Sequence, residues 1–188
     1  MNFNPNVVSK HAISLIGKND PFLKNLILPF ESNKSLTCYN GMRPSIPSSH
    51  FPTFEIEVAG VQHEWATTRG QRHHATYRCM VTVSVGSDID VREDYITKLA
   101  SAIVSIFQAP SNMRFSLPDK TLTGADYRID AYDSMISNVT YNSTRDGTIG
   151  VAEWTWTVHC DEIINDGEFY INPNTTSGMT APFNKVVR

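Results

Sequence analysis

The sequence is poor in charge and in cysteine, has no long apolar run, and contains no motif tied to a known chemistry. Charged residues make up 19% of the 188, against about 25% in ordinary soluble domains. The 16 basic and 19 acidic side chains leave a formal net charge of −3. No basic excess is present to neutralise a phosphate backbone, so nothing electrostatic favours tight DNA wrapping. The three cysteines, Cys38, Cys79 and Cys160, are odd in number and far apart. That excludes a disulfide framework and a zinc pattern, and it points to synthesis in a reducing cytoplasm. No apolar stretch reaches 18 residues, so nothing is expected to span a membrane. No apolar run follows basic residues near Met1, so no signal peptide is expected. The serines and glycines never form a nucleophile elbow, a phosphate loop or a dinucleotide fingerprint. No enzymatic activity, cofactor or metal is expected.

What the sequence does have is concentrated in residues 73–107. From His74 to Val85 the chain alternates, with Ala75, Tyr77, Cys79, Val81, Val83 and Val85 on one parity. Period-two alternation of this length predicts a strand over 74–85 with one buried face. After Gly86-Ser87-Asp88 the period changes. Val91, Tyr95, Leu99, Ala102 and Ile106 recur at helical spacing, widened by Ile96, Ile103 and Phe107. This predicts a one-sided helix over 90–107. Asp90 is the expected N-cap, with Glu93 completing a capping box.

Residues 7–17 predict a short amphipathic helix stopped by Gly17, and Asp20-Pro21 opens another that ends at Pro29. Residues 31–50, rich in Ser, Asn, Pro and Gly, read as a linker. Phe54, Ile56 and Val58 alternate with polar neighbours and predict a strand over 53–59, joined to the long strand as a hairpin. Ala109-Pro110 stops the main helix, and 111–125 reads as a loop. Residues 126–141 are strand-like on the parity of Ile129, Ala131, Met135, Val139 and Tyr141, with a bulge expected near Asp133-Ser134. Thr144 to Gly147 is a turn signal. Residues 148–160 predict a last strand with Ala152, Trp154, Trp156, Val158 and Cys160 inward. The expected fold is α+β: a four-stranded, mainly antiparallel sheet covered by one main helix. Three regions are expected, an N-terminal helical segment and linker (1–44), a core (45–160) and an extended C-terminal arm (161–188). In the arm, Phe169, Tyr170, Phe183 and Val186 stand among turn formers, spaced as anchors for a neighbouring surface.

Several side-chain groups invite a functional reading. His63, His73 and His74 suggest a metal, but adjacent histidines on a strand point to opposite faces; a solvated pair on the loop side is the better reading. Asp88, Asp90, Glu93 and Asp94 fit a helix N-terminus as caps and dipole partners better than as cation ligands. Trp154 and Trp156, with Arg145, could stack bases, yet their apolar company favours core. Cys38 and Cys79 have no placed base beside them.

One pattern goes further. It begins with the Pro-rich lead-in Arg43-Pro44-Ser45-Ile46-Pro47 and a strand opening Phe51-Pro52-Thr53-Phe54-Glu55-Ile56. It continues with His63-Glu64-Trp65, the long strand Thr76 to Val85 and the capped helix, and it closes at the Asp146-Gly147 hairpin. Over residues 45–160 this order resembles the tail terminator (tail completion, neck) proteins of long-tailed bacteriophages. The resemblance implies a virion protein without catalytic residues, a hexameric ring that caps the tail tube at full length. The ring would meet the tail tube protein and the head-tail connector protein, with DNA passing through its lumen without sequence-specific binding, and it would touch no membrane. Other head-tail connector or adaptor components, a small nucleic-acid-binding domain and a small hydrolase are the competing expectations.

Overall fold

The computed structural model describes residues 3–67, 70–84, 88–119, 127–143 and 148–164. Helix α1 spans Pro5–Lys18 and α2 spans Asp20–Ile27. Asn4 caps α1, its side-chain oxygen accepting from Asn6 N–H at 3.0 Å, and Pro5 sits where its missing N–H costs nothing. Gly17 lies inside α1 and does not stop it. Asn19 does, through its amide donating to the Ile16 carbonyl at 3.0 Å and its side chain donating to the Leu15 carbonyl at 2.8 Å.

The sheet departs from expectation. It has six strands, not four, in the order β1-β2-β3-β6-β5-β4, and it is mixed. The strands are β1 (Thr37–Asn40), β2 (Thr53–Thr67), β3 (Gly70–Ser84), β4 (Phe115–Asp119), β5 (Tyr127–Ser143) and β6 (Ile149–Ile164). The two additional strands are the outermost, in stretches that read as linker and loop. β1 pairs with β2 in parallel, Thr37 opposite Thr53 to Asn40 opposite Ile56. β4 pairs antiparallel with β5, Phe115 opposite Ala131 to Asp119 opposite Tyr127. The four long strands form two antiparallel hairpins, β2–β3 and β5–β6, joined through the β3–β6 pairing.

The expected parity of β3 and β6 holds. Ala75, Tyr77, Cys79, Val81 and Val83 are buried, as are Ala152, Trp154, Trp156, Val158 and Cys160. Helix α3, Ile89–Gln108, crosses that face with Tyr95, Ile96, Leu99, Ala100, Ile103, Ile106 and Phe107 inward. Phe107 meets Phe54 edge-on at 5.9 Å and Trp156 at 4.9 Å between ring centres. Side chains of this size contribute about 1.5–3 kcal/mol each on burial, so this layer dominates stability. Asp88, and not Asp90, caps the helix: its Oδ1 accepts from the Asp90 and Val91 amides at 3.1 and 3.3 Å. The start of the stripe is also displaced. Val91 is exposed, and Arg92 lies buried beneath Gly150. A short turn of helix, α4 (Pro110–Met113), follows Ala109.

Helix α1 joins α3 on the same face. Its Ser9 hydroxyl donates to Asn40 Oδ1 on β1 at 2.8 Å, and its His11 ring lies 4.3 Å from Phe115 on β4. One helix thus touches strands from opposite edges of the sheet, which requires the sheet to curl around it as a half-barrel. Tyr77 donates its hydroxyl to the Pro5 carbonyl at 2.9 Å, fixing α1 to the middle strand.

β5 carries the bulge expected near Asp133, between Ala131 and Asp133, and another between Ser137 and Thr140. The first reverses the strand's parity. Ser134 is buried and Ile136 packs against the core, while Met135 is 57% exposed. β6 continues past Cys160 to Ile164, pairing on both sides.

Candidate interaction surface

The face of the sheet opposite the helices is open, and its polar side chains are arranged in cross-strand rows. In one row Arg78 donates to Glu153 Oε1 at 2.6 Å and lies 4.0 Å from Glu57. In the next, His74 and His159 lie 4.3 Å apart, with Glu64 4.0 Å from His74 and Asp133 3.9 Å from His159. Arg72 pairs with Asp161 at 3.2 Å and lies over the Tyr132 ring at 5.4 Å. Arg128 pairs with Asp130 at 2.7 Å. Each of these arginines already faces a carboxylate. The face therefore offers no surplus of positive charge to grip a phosphate backbone. Pairs this exposed contribute only about 0–1 kcal/mol each, so the rows shape a surface more than they hold the fold. On β5 this face also exposes Tyr132 and Met135, whereas the exposed Tyr141 lies opposite the buried Ala152, on the helix side.

The histidine reading is corrected in one respect. His73 is buried, stacked on Phe3 at 4.5 Å between ring centres, and its Nδ1 lies 2.7 Å from His63 Nδ1. His74 points to the open face, as alternation requires. Among the described residues no group of three or more His, Cys, Asp or Glu side chains converges as metal ligands do.

Trp154 and Trp156 are buried between β6 and α3 and cannot stack bases. Arg145, and the proposed anchors Phe169, Tyr170, Phe183 and Val186, lie outside the described residues. The three cysteines are free thiols. Burial, with Asp20 nearby, pushes the Cys38 thiol up to about 12, and burial raises Cys79 well above the ordinary range, which removes the thiolate a nucleophile needs. A hollow of ≈ 370 Å³ is lined by Lys24, Asn25, Leu28, Asn33, Lys34 and Ser35. It gathers two lysines and amides, without a carboxylate, histidine or thiol to share proton transfer.

What the sequence did not disclose is the state of the sheet's edges. β1 covers β2 only over Thr53–Ile56, and β4 covers β5 only over Tyr127–Ala131. Beyond those stretches the outer side of each long strand has no strand neighbour among the described residues. No helix among the described residues is long and apolar enough to cross a membrane.

No family model matches the sequence, and no curated protein matches it. Among solved structures, the fold is similar to a chain of the virion of a native gene transfer agent particle, at 7% identity and a TM-score of 0.43, over 80% of this chain and 91% of that one.

Proposed function

We propose that this chain is a structural protein of a phage-like virion. In this reading six copies close into a ring at the neck that caps the finished tail tube and joins it to the head-side connector. DNA passes through the lumen without sequence-specific contacts. One observation carries the reading: among the described residues the sheet is covered on a single face, and each of its outer long strands lacks an outer strand neighbour along more than half its length. Free strand edges are template surfaces that monomers blunt and assemblies use. Head-to-tail contacts between unlike edges close into rings when the rotation permits. The resemblance of residues 45–160 to tail terminators adds the place in the particle, and the paired charges of the open face suit a protein that lets DNA pass. Of the expected arm, 161–188, the first four residues belong to β6; in this reading the rest contacts a neighbouring subunit, the tube or the connector through Phe169, Tyr170, Phe183 and Val186.

Particles assembled without this protein test the proposal. Tails of uncontrolled length, or heads and tails that fail to join, are the expected result. Normal, joined particles would end it.

A further inference from the structure

The two free edges lie on opposite ends of the sheet and at opposite heights. Among the described residues β5 has no outer strand neighbour from Tyr132 to Ser143, the longer part beyond β4, and β2 has none from Glu57 to Thr67, the longer part beyond β1. Neither stretch contains lysine, arginine or proline; their charges are Glu57, Glu64 and Asp133, and both strands bulge there, β2 between Val58 and Gly60 and between Trp65 and Thr67, β5 between Ser137 and Thr140. Asp133, Met135, Asn138, Val139, Thr140 and Tyr141 on one are exposed, as are Ala59, Gly60, Gln62, His63 and Glu64 on the other. We propose that the free half of β5 pairs antiparallel with the free half of β2 from a second copy of this chain, so that the sheet continues from subunit to subunit. This rests on the ring reading above and supplies its interface.

The register follows from the coverage. Within one copy, Gln62 lines up through His74 and His159 with Asp133. If the next copy's Gln62 met Asp133, its β1 would collide with the end of β5, and the first copy's β4 would collide with the end of that β2. A shift of two residues sets Asp133 beside Glu64, two carboxylates side by side, which is unfavourable. A shift of four places Ser137 opposite Gln62, Ile136 opposite His63 and Met135 opposite Glu64. Counted residue for residue, the whole of each free half then faces the other, and neither β1 nor β4 is in the way. The faces agree as well: Ile136 and His63 lie toward the helices, Met135 and Glu64 toward the open face. A constant offset between successive copies is the stagger that a tilted, closed sheet requires.

The test is a pair of cysteines, Gln62→Cys with Ser137→Cys, in the full chain. Within one copy these positions are separated by three strand spacings and four residues of offset, on the order of 20 Å across the sheet, beyond the roughly 7 Å a disulfide spans. Mild oxidation should therefore give a ladder of covalent multimers ending in a closed ring, while Gln62→Cys with Asp133→Cys gives none. The natural cysteines are controlled by the unsubstituted chain. An oligomer that forms but does not cross-link through the first pair would overturn the pairing and leave the ring reading standing, with the edge assigned to residues 165–188 or to another neighbour. Cross-linked chains that never close would support the pairing and overturn the ring. A chain that stays monomeric and uncross-linked at every concentration overturns both. Met135→Lys, which keeps a surface position and so should keep the fold, should weaken association at least tenfold in sedimentation with an unchanged circular dichroism spectrum; unchanged association would count against the pairing.

Discussion

Replacing Gly150 with alanine probes the tightest point between α3 and the sheet. Gly150 lies on β6 opposite Val83, and a Cβ built there would sit 3.2 Å from Val83 Cγ2, 3.1 Å from Arg92 Cγ and 3.4 Å from Arg92 Cδ. Neither neighbour is free to move away. Val83 is fully buried and β-branched, hence stiff about χ1. Arg92 is 2% exposed, and its Nε and Nη1 have no hydrogen-bond partner among the described residues. Moving it further disturbs a desolvated cation that is already poorly satisfied. Alanine restricts the unfolded chain and by itself should stabilise by about 0.4–1 kcal/mol. Overpacking a filled core costs roughly 1–3 kcal/mol, so the clash wins and Gly150→Ala should lose on the order of 1–2 kcal/mol. Urea unfolding measures this, with the denaturant slope unchanged. In a Val83→Ala background, where one of the two obstructing side chains is cut back, the penalty should fall by about 0.5 kcal/mol or more. Stability equal to or above that of the natural chain, or the same penalty in both backgrounds, would refute the packing argument.

Leu99→Ala removes a fully buried side chain from the middle of α3 and should cost roughly 2–5 kcal/mol by thermal or chemical unfolding; a change within about half a kcal/mol of zero would displace that helix from the core. Asp88→Ala deletes the cap of α3 and should cost about 0.5–2 kcal/mol, whereas Asp90→Ala should cost clearly less, which unfolding of the two variants side by side would show. Burial raises the Glu55 carboxyl, outweighing the Arg43 amide that donates to its Oε1 at 2.7 Å and the charge of Arg43. A carboxyl raised in the folded state contributes stability that is present below its unfolded value and lost as pH rises through the folded one. Glu55→Gln should therefore gain on the natural chain from the ordinary carboxyl range toward neutral pH, and a flat difference between the two would contradict the burial account. A chain stopped after Ile164, where β6 ends, should keep its melting transition but lose ring formation or docking; loss of the transition would place residues 165–188 in the core.

The residues that could be read from sequence were those whose burial is set by their own periodicity. β3 and β6 alternate through Tyr77 to Val83 and Ala152 to Cys160, and α3 repeats through Tyr95, Leu99 and Ile106, because each lies in the middle of the core with one face covered. The outermost strands could not be read this way. β1 is four residues, Thr37-Cys38-Tyr39-Asn40, and all but the exposed Asn40 are partly buried, so no alternation marks it. β4 contains Pro118, which argues against a central strand but is tolerated at an edge. Both exist because a long neighbour offers them backbone partners. The lower half of β2 is polar through Gln62, His63 and Glu64 because it extends past β1 along a free edge. On β5, parity carried from Ile129 and Ala131 gives the wrong face for Met135, since one extra residue at Tyr132 turns the strand over; a second between Ser137 and Thr140 turns it back, and Tyr141 again lies opposite the buried Ala152. The cap of α3 is Asp88 and not Asp90, two residues on, because both residue types cap well and only backbone geometry chooses between them. The candidate surface was the least legible part. A free edge is a property of what fails to pair with a strand, and no single stretch of sequence encodes it.

Averaged images of the parent particle test most directly whether this chain forms a ring at the neck of a virion. The account predicts six copies of the 21.1 kDa chain as a closed ring at the head-proximal end of the tail tube, with the sheet running unbroken between neighbours. A purified particle that lacks the chain, or one that carries it away from the junction of head and tail, would contradict it.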